Sequence, residues 1–156
     1  MEYREQAVVG AAAIKVIGIG GAGLNAVNAM LAAGLDGAEY IAVSTSQPRL
    51  RKSQAATKIQ IGTDTRGFGT GGNPEIARAA VKVSQQDILN SLTGADLVFL
   101  AAGMGSGTGT GATPEIATLA KEAGALVVAV VTKPFSREGK RRKEIADQGI
   151  KALLPL

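Results

Sequence analysis

Two stretches of this sequence concentrate groups able to hold an anion. Residues 103–111 read GMGSGTGTG, with glycine at Gly103, Gly105, Gly107, Gly109 and Gly111 and the hydroxyls of Thr108 and Thr110 between them. Residues 18–25 read GIGGAGLN and match the spacing G-x-G-x-x-G at Gly18, Gly20 and Gly23. Glycine weakens regular elements, so its clustering needs a reason. Each stretch follows an apolar run and precedes a helix-like pattern. In that setting glycines let the backbone approach a phosphate, and the next helix offers free N–H groups and a positive dipole end. A third stretch, TDTRGFGTGGNPE (63–75), also leads from an apolar run into a helix start, with Pro74 at the first helical position and Glu75 in the first turn. One such stretch alone reads equally well as a tight turn between strand and helix. Three of them on one sheet edge read as an anion cradle.

Composition removes most other chemistry. The chain has no Cys and no His, which excludes disulfides, thiol nucleophiles, Ser-His triads and most zinc sites. A metal here would be a hard, oxygen-bound ion such as Mg²⁺. No metal ligands and no catalytic residues are assigned from the sequence. The basic residues gather in RLRK (49–52) and KRRK (140–143) within a net charge of +4. They read as solvated faces, or else as groups serving an anionic ligand or nucleic acid. No apolar run is long enough to span a membrane, and the start MEYREQ lacks the basic opening of a signal sequence. The expected compartment is the cytoplasm, with the plastid stroma as the alternative where a transit peptide has been removed. No nucleic-acid partner and no direct membrane contact are expected.

The elements that must position these groups follow from the apolar pattern. With 46% hydrophobic and only 3% aromatic residues, the core has to be built from Ala, Val, Ile and Leu, which suits a parallel sheet covered by helices. Residues 1–13 read as a flexible tail and 14–156 as one domain. Strands are expected at 14–20, 39–45, 58–62, 95–102 and 125–132, the last two buried. Helices are expected from Ala22 to Ala33 with Gly34 as a stop, from Asn73 to Leu92, from Pro114 to Ala123 with Gly124 closing it, and over 140–154. The alternation predicts a doubly wound, mostly parallel, Rossmann-like α/β sheet with helices on both faces.

The residues by themselves leave the nucleotide open. The first glycine stretch alone is a dinucleotide fingerprint. A NAD site wants an acid at the end of the second strand, and Ser44-Thr45-Ser46 stand there. An NADP site could use Arg49 or Arg51 instead. No phosphate loop of the G-x-x-x-x-G-K-[ST] form occurs.

GMGSGTGTG resembles the signature of the tubulin/FtsZ family, and the segments IKVIGIGGAGLNAV, TRGFGTGGNPE, ADLVFLAAGMGSGTGTG and VVTKPFSREGKRR agree with that family in order, over about residues 14–154. The resemblance is to the nucleotide-binding half of an FtsZ-type cell-division protein, bacterial or plastid. It implies binding of GTP or GDP, with Mg²⁺ entering through the nucleotide phosphates, and head-to-tail association with full-length FtsZ-type subunits. It places Gly21, Ala22, Gly23, Leu24 and Asn25 on the first phosphate and ribose loop. Gly71, Gly72 and Asn73 fall beside the γ-phosphate, and Gly105, Gly107, Thr108 and Gly109 on the signature loop. Glu138 and Arg142 fall on the ribose and base side. As residue types, a carboxylate suits a ribose hydroxyl, and Arg142 lies one helical turn beyond it.

The sequence departs from the family in three places. Ser44-Thr45-Ser46 stand where the family usually has Asn-Thr-Asp, and Ala22 and Leu24 replace glycines common in the first loop. The family also continues into a central helix that holds the guanine, then a second domain whose acidic loop reaches the next subunit's γ-phosphate. This sequence ends at IKALLPL. The resemblance therefore implies that these residues alone bind GTP or GDP with little hydrolysis and do not polymerise by themselves. Two other readings remain, an NADP-binding oxidoreductase domain and a phosphate-binding assembly module without catalysis.

Overall fold

The computed structural model describes residues 11–62 and 65–156. Of the segment read as a tail, residues 1–10 lie outside the described residues. Ala13 is held: its N–H donates to Asp96 Oδ2 at 2.7 Å, and its carbonyl accepts from the N–H groups of Asp96 and Leu97.

The strands β1 (Ile14–Ile19), β2 (Glu39–Ser44), β3 (Thr57–Gln60), β4 (Leu97–Gly103) and β5 (Leu126–Thr132) form one sheet in the order β3-β2-β1-β4-β5. Every pairing is parallel. The helices are α1 (Gly20–Ala32), α2 (Gln47–Lys52), α3 (Pro74–Val83), α4 (Gln85–Leu92), α5 (Gly107–Glu122) and α6 (Lys140–Leu153). The expected α/β architecture with helices on both faces is the observed one. On one face Val16, Tyr40 and Ala42 pack with Leu24 and Val27 of α1 and Leu50 of α2. On the other, Ile17, Ile19, Ile41, Val43, Val98 and Leu100 pack against α3, α4 and α5, with Ala146 of α6 joining them.

Register explains how closely α1 sits on the sheet. Gly18 of β1 lies between Ala42 of β2 and Ala101 of β4, a row of three small residues in line. A Cβ on Gly23 of α1 would collide with the Ala101 carbonyl, and one on Gly18 would collide with the Gly23 carbonyl. The third glycine of the fingerprint is therefore spent on helix-to-strand contact.

Four expectations change. The helix expected from Pro114 begins seven residues earlier, at Gly107, so that Pro114 lies inside it. Residues 107–111 of the signature stretch are thus about the first turn and a half of α5. Its alternating glycines fall on two sides of the helix. Added Cβ atoms would drive Gly107 into Thr70 Oγ1 and Gly111 into the Pro74 carbonyl, while Gly109 would meet the Gly103 carbonyl of the strand. The span Asn73–Leu92 is two helices, broken at Ser84, whose ψ of 19° leaves the helical range. There the Ser84 hydroxyl accepts from Gly62 N–H at 3.1 Å. Helix α2 was not expected, because six residues are too few for a helical period to show in sequence. Finally, β5 is the edge strand of the sheet and only half covered. Val127 and Val131 meet the core, but Leu126 and Val130 are 67% and 63% exposed. A continuous apolar run reads as a strand buried on both faces, and here α1 packs chiefly on β1, β2 and β4.

Gly111→Ala tests the close approach of α3 and α5. Helix propensity favours alanine by about 1 kcal/mol, yet overpacking against a backbone carbonyl costs about 1–3 kcal/mol. We expect a lower urea midpoint at unchanged m-value. A raised midpoint would show that the two helices have room for a methyl group.

Candidate anion-binding site

All five strands run the same way, so their C-terminal ends share one edge. The chain winds outward from β1 through β2 to β3, then returns to place β4 on the other side of β1. A crevice opens where the winding reverses, between β1 and β4. A cavity of about 490 Å³ lies there.

Backbone from three helix starts lines it. Gly21 comes from the first turn of α1, Gly71 and Gly72 from the turn before α3, and Gly105, Gly107 and Thr108 from the start of α5. The first N–H groups of a helix have no partner within it, so α1 and α5 both present free donors here. Neither helix has an acidic residue in its first turn. The turn before α3 is wound through four glycines of positive φ (Gly67, Gly69, Gly71 and Gly72) and through Arg66 at φ 51°.

Side-chain hydroxyls set these turns. Ser106 caps α5: its hydroxyl accepts from Gly109 N–H at 3.1 Å and donates to the Gly103 carbonyl at 2.9 Å. Gly105, at φ 100°, donates its N–H to Thr110 Oγ1 at 2.8 Å. The hydroxyls of Thr45 and Thr108 share a hydrogen bond of 2.9 Å, tying the end of β2 to the first turn of α5. Thr45 is fully buried and Ser44 nearly so, with Ser44 Oγ accepting from Ser46 N–H at 3.1 Å.

The charged lining is Arg49 of α2 with Arg141 and Arg142 of α6. No carboxylate lines the cavity among the described residues, nor do any three acidic side chains there gather as metal ligands would. The potential is therefore positive and suits an anion. Asp64, in the third glycine-rich stretch, lies outside the described residues. Glu75 accepts from Arg78 Nη1 at 2.8 Å on the surface of α3.

Seven of the residues expected at the site line the cavity: Gly21, Gly71, Gly72, Gly105, Gly107, Thr108 and Arg142. The other seven are placed elsewhere. Gly23 and Gly109 are packed against strand carbonyls, and Leu24 belongs to the smaller core. Ala22 and Asn25 are exposed on α1. Asn73 caps α3, its Oδ1 accepting from Glu75 N–H at 3.0 Å. Glu138 accepts from Arg142 Nη1 at 2.9 Å and from Phe135 N–H at 2.6 Å, which ties it to α6 and to its own turn. The structure adds Ser44, Thr45, Ser46, Arg49, Thr70, Ser106 and Arg141. Ser44, Thr45 and Ser46, at the end of β2, entered the sequence reading only as residues standing where an acid was wanted, and Arg49 only as part of a basic run or as an alternative NADP contact.

The family described as the tubulin/FtsZ family, GTPase domain, matches residues 13–155. Among solved structures, an empty FtsZ dimer of M. jannaschii is 43% identical with a TM-score of 0.90, over 92% of this chain and 42% of that one. CetZ2 from Haloferax volcanii, a GTPgS-bound protofilament, is 26% identical with a TM-score of 0.83, over 92% of this chain and 46% of that one. TubZ of Clostridium botulinum phage c-st is 25% identical with a TM-score of 0.79, over 91% of this chain and 48% of that one. The chain thus spans less than half the length of these structures.

Ser106→Ala removes the cap that sets the first turn of α5. We expect a loss of about 1 kcal/mol in folding stability by urea denaturation, with the native circular dichroism retained. No loss would mean that water or backbone replaces the hydroxyl.

Proposed function

The chain belongs to the tubulin/FtsZ family, and on that premise we propose that the cavity at the β1–β4 crevice binds the phosphates of GTP or GDP. One observation carries the reading. The starts of α1, α3 and α5 converge on a single cavity whose lining, beside Phe68 and Ile145, is glycine backbone, hydroxyls and three arginines, Arg49, Arg141 and Arg142. Free N–H groups at helix starts are donors of the geometry that phosphate oxygens accept. The hydroxyl of Thr108 adds a donor at the mouth of α5, and Arg142 adds charge from α6. Glu138, held beside Arg142, is assigned to the ribose side of the ligand. Asn25 and Asn73 are assigned to its edges, where a bound nucleotide extends beyond the phosphate cavity.

Hydrolysis of GTP coupled to head-to-tail assembly in cell division, acting in the cytoplasm, is the activity we propose this domain serves. No described residue at the cavity is a carboxylate placed to act on an attacking water. The chemistry is accordingly assigned to a site completed by a neighbouring subunit, and the chain's own groups to binding and orientation. The protofilament form of CetZ2 supports this reading.

Calorimetric titration with GTP, GDP and NADP tests the ligand. We expect both guanine nucleotides to bind and NADP not to compete with them. Binding of NADP alone would overturn the proposal in favour of an oxidoreductase domain. Thr108→Val keeps the volume and removes the hydroxyl. Loss of a hydrogen bond to a charged group costs about 1.5–3 kcal/mol, so affinity should fall roughly ten- to a hundredfold. An unchanged dissociation constant would show that Thr108 only ties α5 to Thr45.

A further inference from the structure

The residues at the end of β2 do not suit a divalent cation held by the protein. Mg²⁺ is held by one or two carboxylates together with substrate phosphates and water. Here the side chains are hydroxyls, and they are engaged with one another: Ser44 with the Ser46 N–H, and Thr45 with Thr108. Among the described residues no carboxylate lines the cavity.

A different cation stands in the same place. Arg49 projects from α2 across the cavity to the first turn of α1. A Cβ on Gly21 would collide with its Nη1 and lie 3.1 Å from its Cζ. The guanidinium therefore rests on the backbone of Gly21, beside the free N–H groups at the start of α1. That is a cation set against the positive end of a helix dipole, an unfavourable pairing by itself. Arg142 has Glu138 as a partner, and Arg78 has Glu75 and Glu115. Arg49 has no such carboxylate among the described residues. An anion between the guanidinium and the α1 N–H groups turns the repulsion into attraction on both sides. Planar guanidinium donors also match phosphate oxygens two at a time.

We propose that Arg49 is a phosphate-binding residue of this cavity, supplying from α2 the positive charge that the end of β2 has no carboxylate to recruit as a metal ion. The inference rests on the reading of the cavity as a nucleotide-phosphate site, and deepens it. Gly21 is part of the device, since any side chain there would displace the guanidinium. Arg51, on the same helix but outside the cavity lining, serves as the control.

The test is calorimetric titration of the full chain with GTP, and separately with inorganic tripolyphosphate, in EDTA and in Mg²⁺. Circular dichroism verifies that the variants fold. In EDTA, Arg49→Ala should weaken both ligands about tenfold or more. Arg49→Lys should fall between wild type and Arg49→Ala, and Arg51→Ala should stay within about twofold of wild type. The wild-type dissociation constant should rise more steeply with salt than that of Arg49→Ala, since a charge contact has been removed. Wild-type affinity in EDTA equal to that of folded Arg49→Ala would overturn the proposal. So would wild-type binding seen only with Mg²⁺. Binding of tripolyphosphate without GTP would overturn the guanine reading and leave Arg49 to be judged on tripolyphosphate. Binding of neither would overturn both.

Discussion

The direct contact of helix backbone with strand backbone is the constraint on which this structure depends. Gly18, Ala42 and Ala101 stand side by side in neighbouring strands, and Gly23 brings α1 down onto them until its carbonyl would touch any added Cβ on Gly18. The same closeness recurs where Gly109 of α5 lies against the Gly103 carbonyl. Two helices seated this low begin at the level of the strand ends. Their free N–H groups then face the crevice between β1 and β4. Raising either helix by the thickness of a methyl group would tilt those donors away from the point where they meet.

The glycine pattern therefore has two causes that the sequence superposes. Some glycines, such as Gly21 and Gly107, border the cavity, and side chains there would displace Arg49 or Thr70. Others, Gly18, Gly23 and Gly111, do not line the cavity and let backbones meet. In α5 the alternation distributes them over two sides of one helix, one toward the start of α3 and one toward β4. A helix so poor in side chains at its start gains its order from caps. Ser106, Thr110 and Thr113 hydrogen-bond the backbone around it.

Charge is arranged with the same economy. Glu75 and Glu115 hold Arg78 outside the cavity lining, while Glu138 pairs with Arg142 of that lining. In the crevice Arg49 faces a helix start, and Arg141 and Arg142 approach from α6. At the far side of the sheet, β5 leaves Leu126, Val128 and Val130 exposed on one face, where no described helix covers them.

Much of this was legible in the sequence. Apolar runs of β-branched residues broken by glycine determine parallel strands and their helices. The spacing of Gly18, Gly20 and Gly23, and the run from Gly103 to Gly111, mark the turns at the strand ends. Pro74 and Asn73 mark the start of α3. These are local signals, because backbone conformation and capping involve residues a few positions apart. What the sequence could not show is decided by distant contacts. Whether a glycine faces a ligand or a neighbouring backbone depends on strand register, which sets Ala101 opposite Gly23 from 78 positions away. Pro114 hid the true start of α5, since tertiary packing and a serine cap outweigh the local preference of proline for a first turn. β5 looked buried because its apolar run is continuous, yet exposure is set by its place at the sheet edge. Arg49 read as one of three charges in a basic run, or as one of two arginines open to an NADP phosphate, and only the folding of α2 against α1 brought it over Gly21 and into the crevice.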